Sequence, residues 1–411
     1  MDWSKVRSKL NRSADKYRYY FGTYAYTDPT QSKVSNKIPR TRVGWGKRAV
    51  DVRANKTHFD CFENDTLKLN DILAKYHVID ALDKLKGDIL VCGLGFLALA
   101  GDRVMPFTAE EATGTYDWYE QNLKDGVAVF RERTDEAIRE REPDSYIKYS
   151  NNETDIYQDG AHKHVINITG RPLIGLFTYN SSTSRPFGQS VLSKPARDAM
   201  IDASRTIRQA NVAAVHYNIK VDVILGADST STVDTVEART GSVLKVGPNE
   251  NGQIPQIGEF AQHAMAPFTD TVMIAARNFC ADTKLSLANL GIDTNAPQST
   301  EALDIVNDDL KDDILDWQQE LGEQLKYFAV TLYMYENGIH VIDDNLQAKI
   351  KATKPIWLPV YKADVSKFGD GLTKIAQQAP NIIKARSVWR NLGLSSTEID
   401  EIINSANNLN N

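Results

Sequence analysis

The sequence predicts a mixed α+β chain with more than one domain, and three observations carry that prediction. Apolar residues recur at steps of three and four in several long stretches, the mark of amphipathic helices. Between them lie short β-branched and aromatic runs joined by hairpin-length loops, which predicts antiparallel strands. The 411 residues, 42% hydrophobic and 25% charged, are ordinary for a globular protein and sufficient for two or three cores.

Residues 1–50 crowd Tyr17, Tyr19, Tyr20, Phe21, Tyr24 and Tyr26 between polar positions, with Pro29, Gly44 and Gly46 as breaks. They read as an irregular arm with one short helix, packed either on a neighbouring subunit or on its own domain. Ile72, Leu73, Tyr76, Ile79, Leu82 and Leu85 predict a helix over Asn70–Leu85 that Gly87 ends, and the run Ile89–Ala100 predicts a buried strand. Weaker strand signals follow near Gly126–Phe130, Ser145–Tyr149, His164–Ile168 and Leu173–Tyr179. A second helix should span Ser190–Tyr217, with Leu192, Ala196, Met200, Ala203, Ile207, Ala210 and Ala214 on one side. Strands Ile219–Leu225 and Gly241–Val246 come next, then a turn over Gly247–Gly252 marked by Asn251-Gly252, then a third helix over Ala266–Thr283.

The longest periodic pattern opens from a polar Gly/Pro loop, Asn289–Ser299. Leu303, Val306, Leu310, Ile314, Trp317, Leu321, Leu325 and Phe328 fall on one helical stripe. Ser299 or Thr300 can cap it, Glu301 suits its first turn, and a helix from Thr300 to Tyr335 would be about 50 Å long. Glu336-Asn-Gly338 then turns the chain into strands around Ile339–Ile342 and Leu346–Ala352. Beyond Pro359 the tail reads as helical, with Leu394–Thr397 ending one helix and capping Glu398–Ser405 before an Asn-rich terminus expected to be disordered.

The formal charge of −6 argues against a protein that coats nucleic acid, which would present a basic surface. It is compatible with a protein past which nucleic acid must slide. Cys61, Cys92 and Cys280 are odd in number and far apart, so a disulfide framework is not expected and a reducing compartment is. The stretch Met1–Leu10 lacks the apolar core of a signal peptide, and no run approaches the ~18 apolar residues of a membrane span. Both predict a soluble chain made inside the cell.

Enzymatic signals are weak. Cys92-Gly93-Leu-Gly95-Phe-Leu-Ala98 fits a Gly-x-Gly-x-x-Ala spacing, but the expected helix precedes the glycines instead of following them. A nucleotide-dependent enzyme using Gly93 and Gly95 is therefore an alternative that ranks below a simple helix-to-strand transition. His162-Lys-His164 could put two imidazoles on one strand face, with no Cys/His/Asp set nearby to complete a metal site. No phosphate-binding Gly-x-x-x-x-Gly-Lys-Ser/Thr exists, and Gly188-Gln-Ser190 reads as a helix cap and not a nucleophile elbow. Asp308-Asp309 and Asp312-Asp313 could attract a cation, but a solvated helix face is the default. The chain is expected to have no catalytic residues, no metal and no cofactor.

The order of these elements resembles the siphophage-type portal proteins of tailed bacteriophages. Gly170-Arg-Pro-Leu-Ile-Gly-Leu-Phe177 is similar to the family's Gly-x-hydrophobic-Pro-Val-Val strand, with the proline displaced. Arg185-Pro-Phe-Gly-Gln-Ser190 resembles the Gly-Arg-Ser that opens the first stem helix. Tyr217–Gly226 followed by Gly241–Val246 looks like the clip, and Leu290–Ala302 like the Leu-Gly…Asn-Pro-Ser-Ser-Ala-Glu-Ala loop entering the long helix. Upstream, Arg42–Asp51 resembles the family's Asn/Arg-rich segment ending in Val-Val-Asp.

The resemblance implies the portal fold, with boundaries carried over by position. Residues 1–189 would be the wing, 190–217 the first stem helix, 218–265 the β-rich clip and 266–284 the second stem helix. Residues 285–299 would be the tunnel loop, 300–335 the long wing helix, 336–366 wing strands and 367–411 a reduced helical crown. It implies a homo-oligomeric ring, usually of twelve subunits, at one capsid vertex, through which double-stranded DNA is packaged and ejected without sequence specificity. Asn289, Asp293, Asn295, Gln298, Ser299 and Glu301 would face the channel, and Lys245, Asn249, Glu250, Asn251 and Gln253 would lie on the clip's docking surface. Implied partners are the terminase large subunit, a head–tail adaptor, the major capsid protein and a scaffolding protein, with no membrane. The implied location is the virion, after assembly in the host cytoplasm. Another head–tail connector or a minor capsid protein is the alternative within the same setting.

Overall fold

The structure, a computed structural model, describes residues 6, 8–10, 13–27, 40–130, 145–158, 160–217, 222–225, 233–238, 241–246, 256–259, 264–292, 307–361 and 385–408. The chain divides into two units: Met1–Tyr24, Gly44–Asp198 and Asn278–Asn411 form the first, and Ala25–Val43 with Ala199–Arg277 the second. Helix and strand are both abundant, as an α+β chain requires.

The first unit begins with α1 (Ala14–Tyr20), α2 (Trp45–Ala54), β1 (Phe59–Glu63), α3 (Leu69–Lys75) and α4 (Val78–Cys92). The expected single helix over 70–85 is thus two, broken at His77, whose φ of 54° is left-handed. Gly87 does not end the second one. An interior glycine costs ~1 kcal/mol, and burying Ile89, Leu90, Val91 and Cys92 exceeds that. The apolar run read as strand is therefore half helix. Gly93 (φ +86°) is the αL residue that closes α4, its N–H donating to the Ile89 carbonyl at 2.6 Å.

β2 (Leu94–Ala100) follows at once and is the centre of an antiparallel sheet ordered β3 (Arg103–Thr108), β2, β9 (Ile174–Thr178). A second antiparallel sheet runs β4 (Ala112–Asp117), β5 (Asn122–Val129), β6 (Ser145–Tyr149), β7 (Glu153–Gln158), β8 (Ala161–Ile166) in that order. Gly95 lies against Leu85 and Ile89 of α4, and Gly175 against Phe328. Gly95 pairs with Phe177, two residues from Gly175, so both helical contacts fall on one face of the smaller sheet. On the other face Ile174 meets Gly126 of β5. The result is three layers: helices, a three-stranded sheet and a five-stranded sheet.

The long helix, α7 (Asp308–Asn337), supplies much of that helical layer. It starts at Asp308, with Asn307 in the N-cap position, instead of at Thr300; Leu303 and Val306 lie outside the described residues. Its thirty residues span about 45 Å. The predicted stripe holds from Leu310 onward: Leu310, Ile314, Trp317, Leu321, Leu325 and Phe328 are all buried. Gly338 (φ +65°) ends the helix.

The two strands expected after it are absent. Residues 339–343 form no strand, and Asp344–Ala352 is a helix, α8, because Asp343 accepts the Leu346 N–H at 2.7 Å and nucleates it. The strand comes later: β14 (Lys354–Trp357) pairs antiparallel with β1. Two tail helices follow, α9 (Arg386–Asn391) and α10 (Ser396–Asn408). Ser395 and Glu398 form a reciprocal cap, the Ser395 N–H donating to Glu398 Oε2 at 2.7 Å. α10 runs past the expected Ser405, and residues 409–411 lie outside the described set.

In the second unit, α5 (Lys194–Tyr217) contributes its residues from Ala199 and α6 (Ala266–Thr283) those up to Arg277. α5 begins four residues later than predicted: Ser193 accepts the Ala196 N–H at 3.3 Å, while Ser190 accepts from Leu192. Between the helices, β10 (Asp222–Leu225) pairs with β13 (Gln256–Glu259), and β11 (Val233–Ala238) with β12 (Gly241–Val246), one antiparallel pair enclosing the other in sequence. Ser204 on α5 accepts the Val43 N–H at 3.2 Å, and Asn211 donates to Thr41 Oγ1 at 3.1 Å, tying the segment before α2 along the helix.

Candidate functional site: a buried ion cluster at the start of the long helix

Of the residues predicted to face a channel, Asn289 alone lies within the described set; Asp293, Asn295, Gln298, Ser299 and Glu301 lie outside it. Asn289 is the middle residue of a short 3₁₀ turn (Ala288–Leu290) and donates from Nδ2 to Asn307 Oδ1 at 2.9 Å. Its carbonyl accepts from Arg48 Nε at 2.7 Å. The two ends of the segment are therefore hydrogen-bonded to each other before α7 begins. Of the predicted docking residues, Lys245 sits on β12 opposite Asp234, and Asn249, Glu250, Asn251 and Gln253 lie outside the described residues.

One turn into α7 is a charged cluster that sequence reasoning placed on a solvated face. Asp313 is buried, one residue before Ile314 and three after Leu310, so it belongs to the apolar stripe. Arg53, 1% exposed on α2, donates from Nε to Asp313 Oδ2 at 2.8 Å. The remaining guanidinium nitrogens donate to the carbonyls of Ala49 (2.9 Å) and Thr283 (2.6 Å). Tyr179, just past β9, donates its hydroxyl to the same Oδ2 at 2.7 Å, and Lys284 reaches Oδ1 at 2.7 Å. A single carboxylate thus joins α2, the end of β9, the end of α6 and α7.

The electrostatics favour this arrangement. Burial opposes ionisation of Asp313, but Arg53, Lys284 and Tyr179 outweigh it and hold the carboxyl below its ordinary range. Burial, with Asp313 beside it, pushes the Tyr179 phenol well above its usual value, so it stays a donor. Two cations against one carboxylate leave the cluster a net charge of +1. Below it, Trp317 donates Nε1–H to the Thr178 carbonyl at 3.1 Å and meets Tyr179 edge-on. Glu320 accepts from Thr178 Oγ1 (2.6 Å), Asn180 N (3.0 Å) and Ser181 N (3.2 Å), so the end of β9 is fixed along two turns of α7. The cluster presents no activated nucleophile; its chemistry is to hold chain segments in register.

The other motifs are accounted for by local structure. A Cβ at Gly93 would sit 2.7 Å from the Gln189 backbone, and one at Gly188 (φ +70°) 2.2 Å from the Gly93 carbonyl. These glycines permit a close backbone crossing, and β2 continues where a nucleotide-binding turn would need a helix. His162 and His164 both bond Asp155 Oδ1, at 3.1 and 2.8 Å, on the exposed β7–β8 hairpin. Among the described residues no group of three or more His, Cys, Asp or Glu could hold a metal ion, and no helix is long and apolar enough to cross a membrane.

No protein-family model and no curated protein matches the chain. Solved structures do. A chain in the neck of a native gene transfer agent particle computed with C12 symmetry is similar over 95% of this chain and 92% of its own, at 15% identity and a TM-score of 0.49. A chain in the virion of a native gene transfer agent particle is similar over 78% and 81%, at 14% identity and a TM-score of 0.46. A third, from the neck of an empty particle computed with C6 symmetry, is 12% identical over the same shares, with a TM-score of 0.41.

Proposed function

We propose that this chain is a portal subunit that assembles into a ring, of about twelve copies by resemblance, at one vertex of a phage-like capsid. One observation carries the reading: the order of elements from Lys194 to Asn337. A 24-residue helix, two antiparallel strand pairs, an 18-residue helix and a segment tied at its ends precede a 30-residue helix with a buried stripe. That is the succession of stem, clip, stem, tunnel loop and wing helix. In this reading double-stranded DNA passes the 289–307 segment during packaging and ejection, and terminase and then a head–tail adaptor dock on the clip, Lys245 and residues 249–253 among its contacts. The protein has no enzymatic activity of its own and resides in the virion.

The charge pattern supports such a role. Residues 285–310 contain no Lys or Arg but five carboxylates: Asp293, Glu301, Asp304, Asp308 and Asp309. Each Lys or Arg contact to phosphate would add salt-dependent affinity and act as a brake on sliding DNA. Negative-stain microscopy of the purified chain should show rings with a central hole; a monomer, or a particle without a hole, overturns the proposal. In a particle-assembly assay, Asp293→Lys with Gln298→Lys should slow or stall DNA packaging.

A further inference from the structure

The stretch without basic residues is bordered on one side by Lys284, and the structure gives that lysine an unusual setting. It stands in the left-handed region (φ 52°) at the end of α6, where Leu285 N–H closes back onto the Cys280 carbonyl at 3.1 Å. Glycine normally takes such a position, because a side chain there costs ~1–2 kcal/mol. A lysine placed there for solvation alone would gain nothing from that backbone. Here the side chain is half exposed (50%), yet its ammonium is turned back onto Asp313, a carboxylate only 8% exposed.

We propose that Asp313 is a positioning residue that masks Lys284: it binds inward the ammonium that borders the DNA-facing segment, so that the ammonium does not engage phosphate. The assignment rests on the portal reading, since masking matters only where a polyanion passes. The geometry meets the two needs of a mask. The acceptor is held, because Arg53 Nε and the Tyr179 hydroxyl fix Oδ2 and leave Oδ1 to Lys284. The cation stays near the surface, so releasing it would expose a charge and not bury one.

Lys284→Gln is a surface change and tests the mask in a folded ring. Binding of a short mixed-sequence DNA duplex is measured against salt concentration with assembled rings of the full chain. A masked lysine contributes nothing, so Lys284→Gln should leave the slope of log K against log salt unchanged; a slope shallower by about 0.9 means that Lys284 already contacts phosphate and overturns the proposal. Asp313→Asn should steepen the slope by about 0.9 or more, and Asp313→Asn with Lys284→Gln should restore the original value. A folded Asp313→Asn ring with an unaltered slope also overturns it. Should Asp313→Asn fail to fold, amine labelling of the unmodified protein decides: Lys284 must react several-fold more slowly than the exposed lysines Lys47 and Lys124, which have no ion pair among the described residues, and equal reactivity overturns masking. If no ring forms, the portal reading fails, while the labelling result still stands or falls by itself.

Discussion

Asp313 and Asp155 each accept hydrogen bonds from two basic side chains, and each carboxyl is held below its ordinary range, yet the two clusters do different work. Asp155 sits on the β7–β8 hairpin beside His162 and His164, which are roughly half exposed. Water can replace either histidine at little cost, so the cluster adds little to stability. Asp313 is enclosed, its main partner Arg53 is fully buried, and every guanidinium nitrogen has an acceptor. Removing Arg53 there strands the Asp313 charge where water cannot readily reach it. Burial, and not the number of ionic contacts, decides which cluster ties α2, the end of β9, the end of α6 and α7 together.

The two clusters should differ most at Arg53. Arg53→Met should cost about 3–5 kcal/mol in urea unfolding followed by tryptophan fluorescence, because Asp313 is left buried without its one buried cation, keeping two of its three partners. Combining it with Asp313→Leu should recover much of that loss. A cost below about 1 kcal/mol would place the cluster in the same class as an exposed pair.

Acid and base should act on the two clusters in opposite directions. Asp313 has a depressed folded value, so its contribution is present above the unfolded value near 3.9 and lost as the pH falls through the lower folded one. The hydrogen bond that His164 donates to Asp155 raises the His164 value, and its contribution is full below the unfolded value near 6.5 and lost as the pH rises through the folded one. Unfolding midpoints measured from pH 2 to 9 should show a distinct acid limb that Asp313→Asn abolishes.

A smaller effect is expected at the clasp between the segment ends. Asn307→Ala removes the acceptor of the Asn289 side chain and should cost about 0.5–1.5 kcal/mol. Amide exchange should quicken over residues 286–292 without changing in α4, the buried helix beneath β2. The smallest effect is at the hairpin: Asp155→Asn should leave the unfolding midpoint unmoved, while the His164 imidazole titration followed by NMR shifts down toward its usual range.

Much of this could be read from residue order because periodic burial is written directly into sequence. The α7 stripe from Leu310 to Phe328, the bounds of α6 and β12, and β6 at Ser145–Tyr149 all stand where the pattern put them. The errors have physical causes. Gly87 looked like a stop, but flanking apolar burial carried α4 through it. Leu346–Ala352 looked like a strand until the Asp343 side chain capped a helix there. That Leu394–Thr397 would cap a last helix was visible, but the reciprocal Ser395–Glu398 pairing and how far α10 extends past Ser405 were not.

Sequence by itself determined the α+β class, the order of a helix, strands and two further helices from Ser190 onward (the first starting at Lys194 in the structure) and the absence of basic residues across 285–310, because each depends only on neighbours along the chain. The tertiary structure decided what Asp313 is. Its place on the stripe could be counted, three residues after Leu310 and four before Trp317, but a carboxylate on an apolar stripe is tolerable only with partners. Those partners, Arg53, Tyr179 and Lys284, lie 260, 134 and 29 residues away. No local pattern ranks such distant pairings, because their free energy arises only once folding has removed the water that would otherwise solvate all four groups.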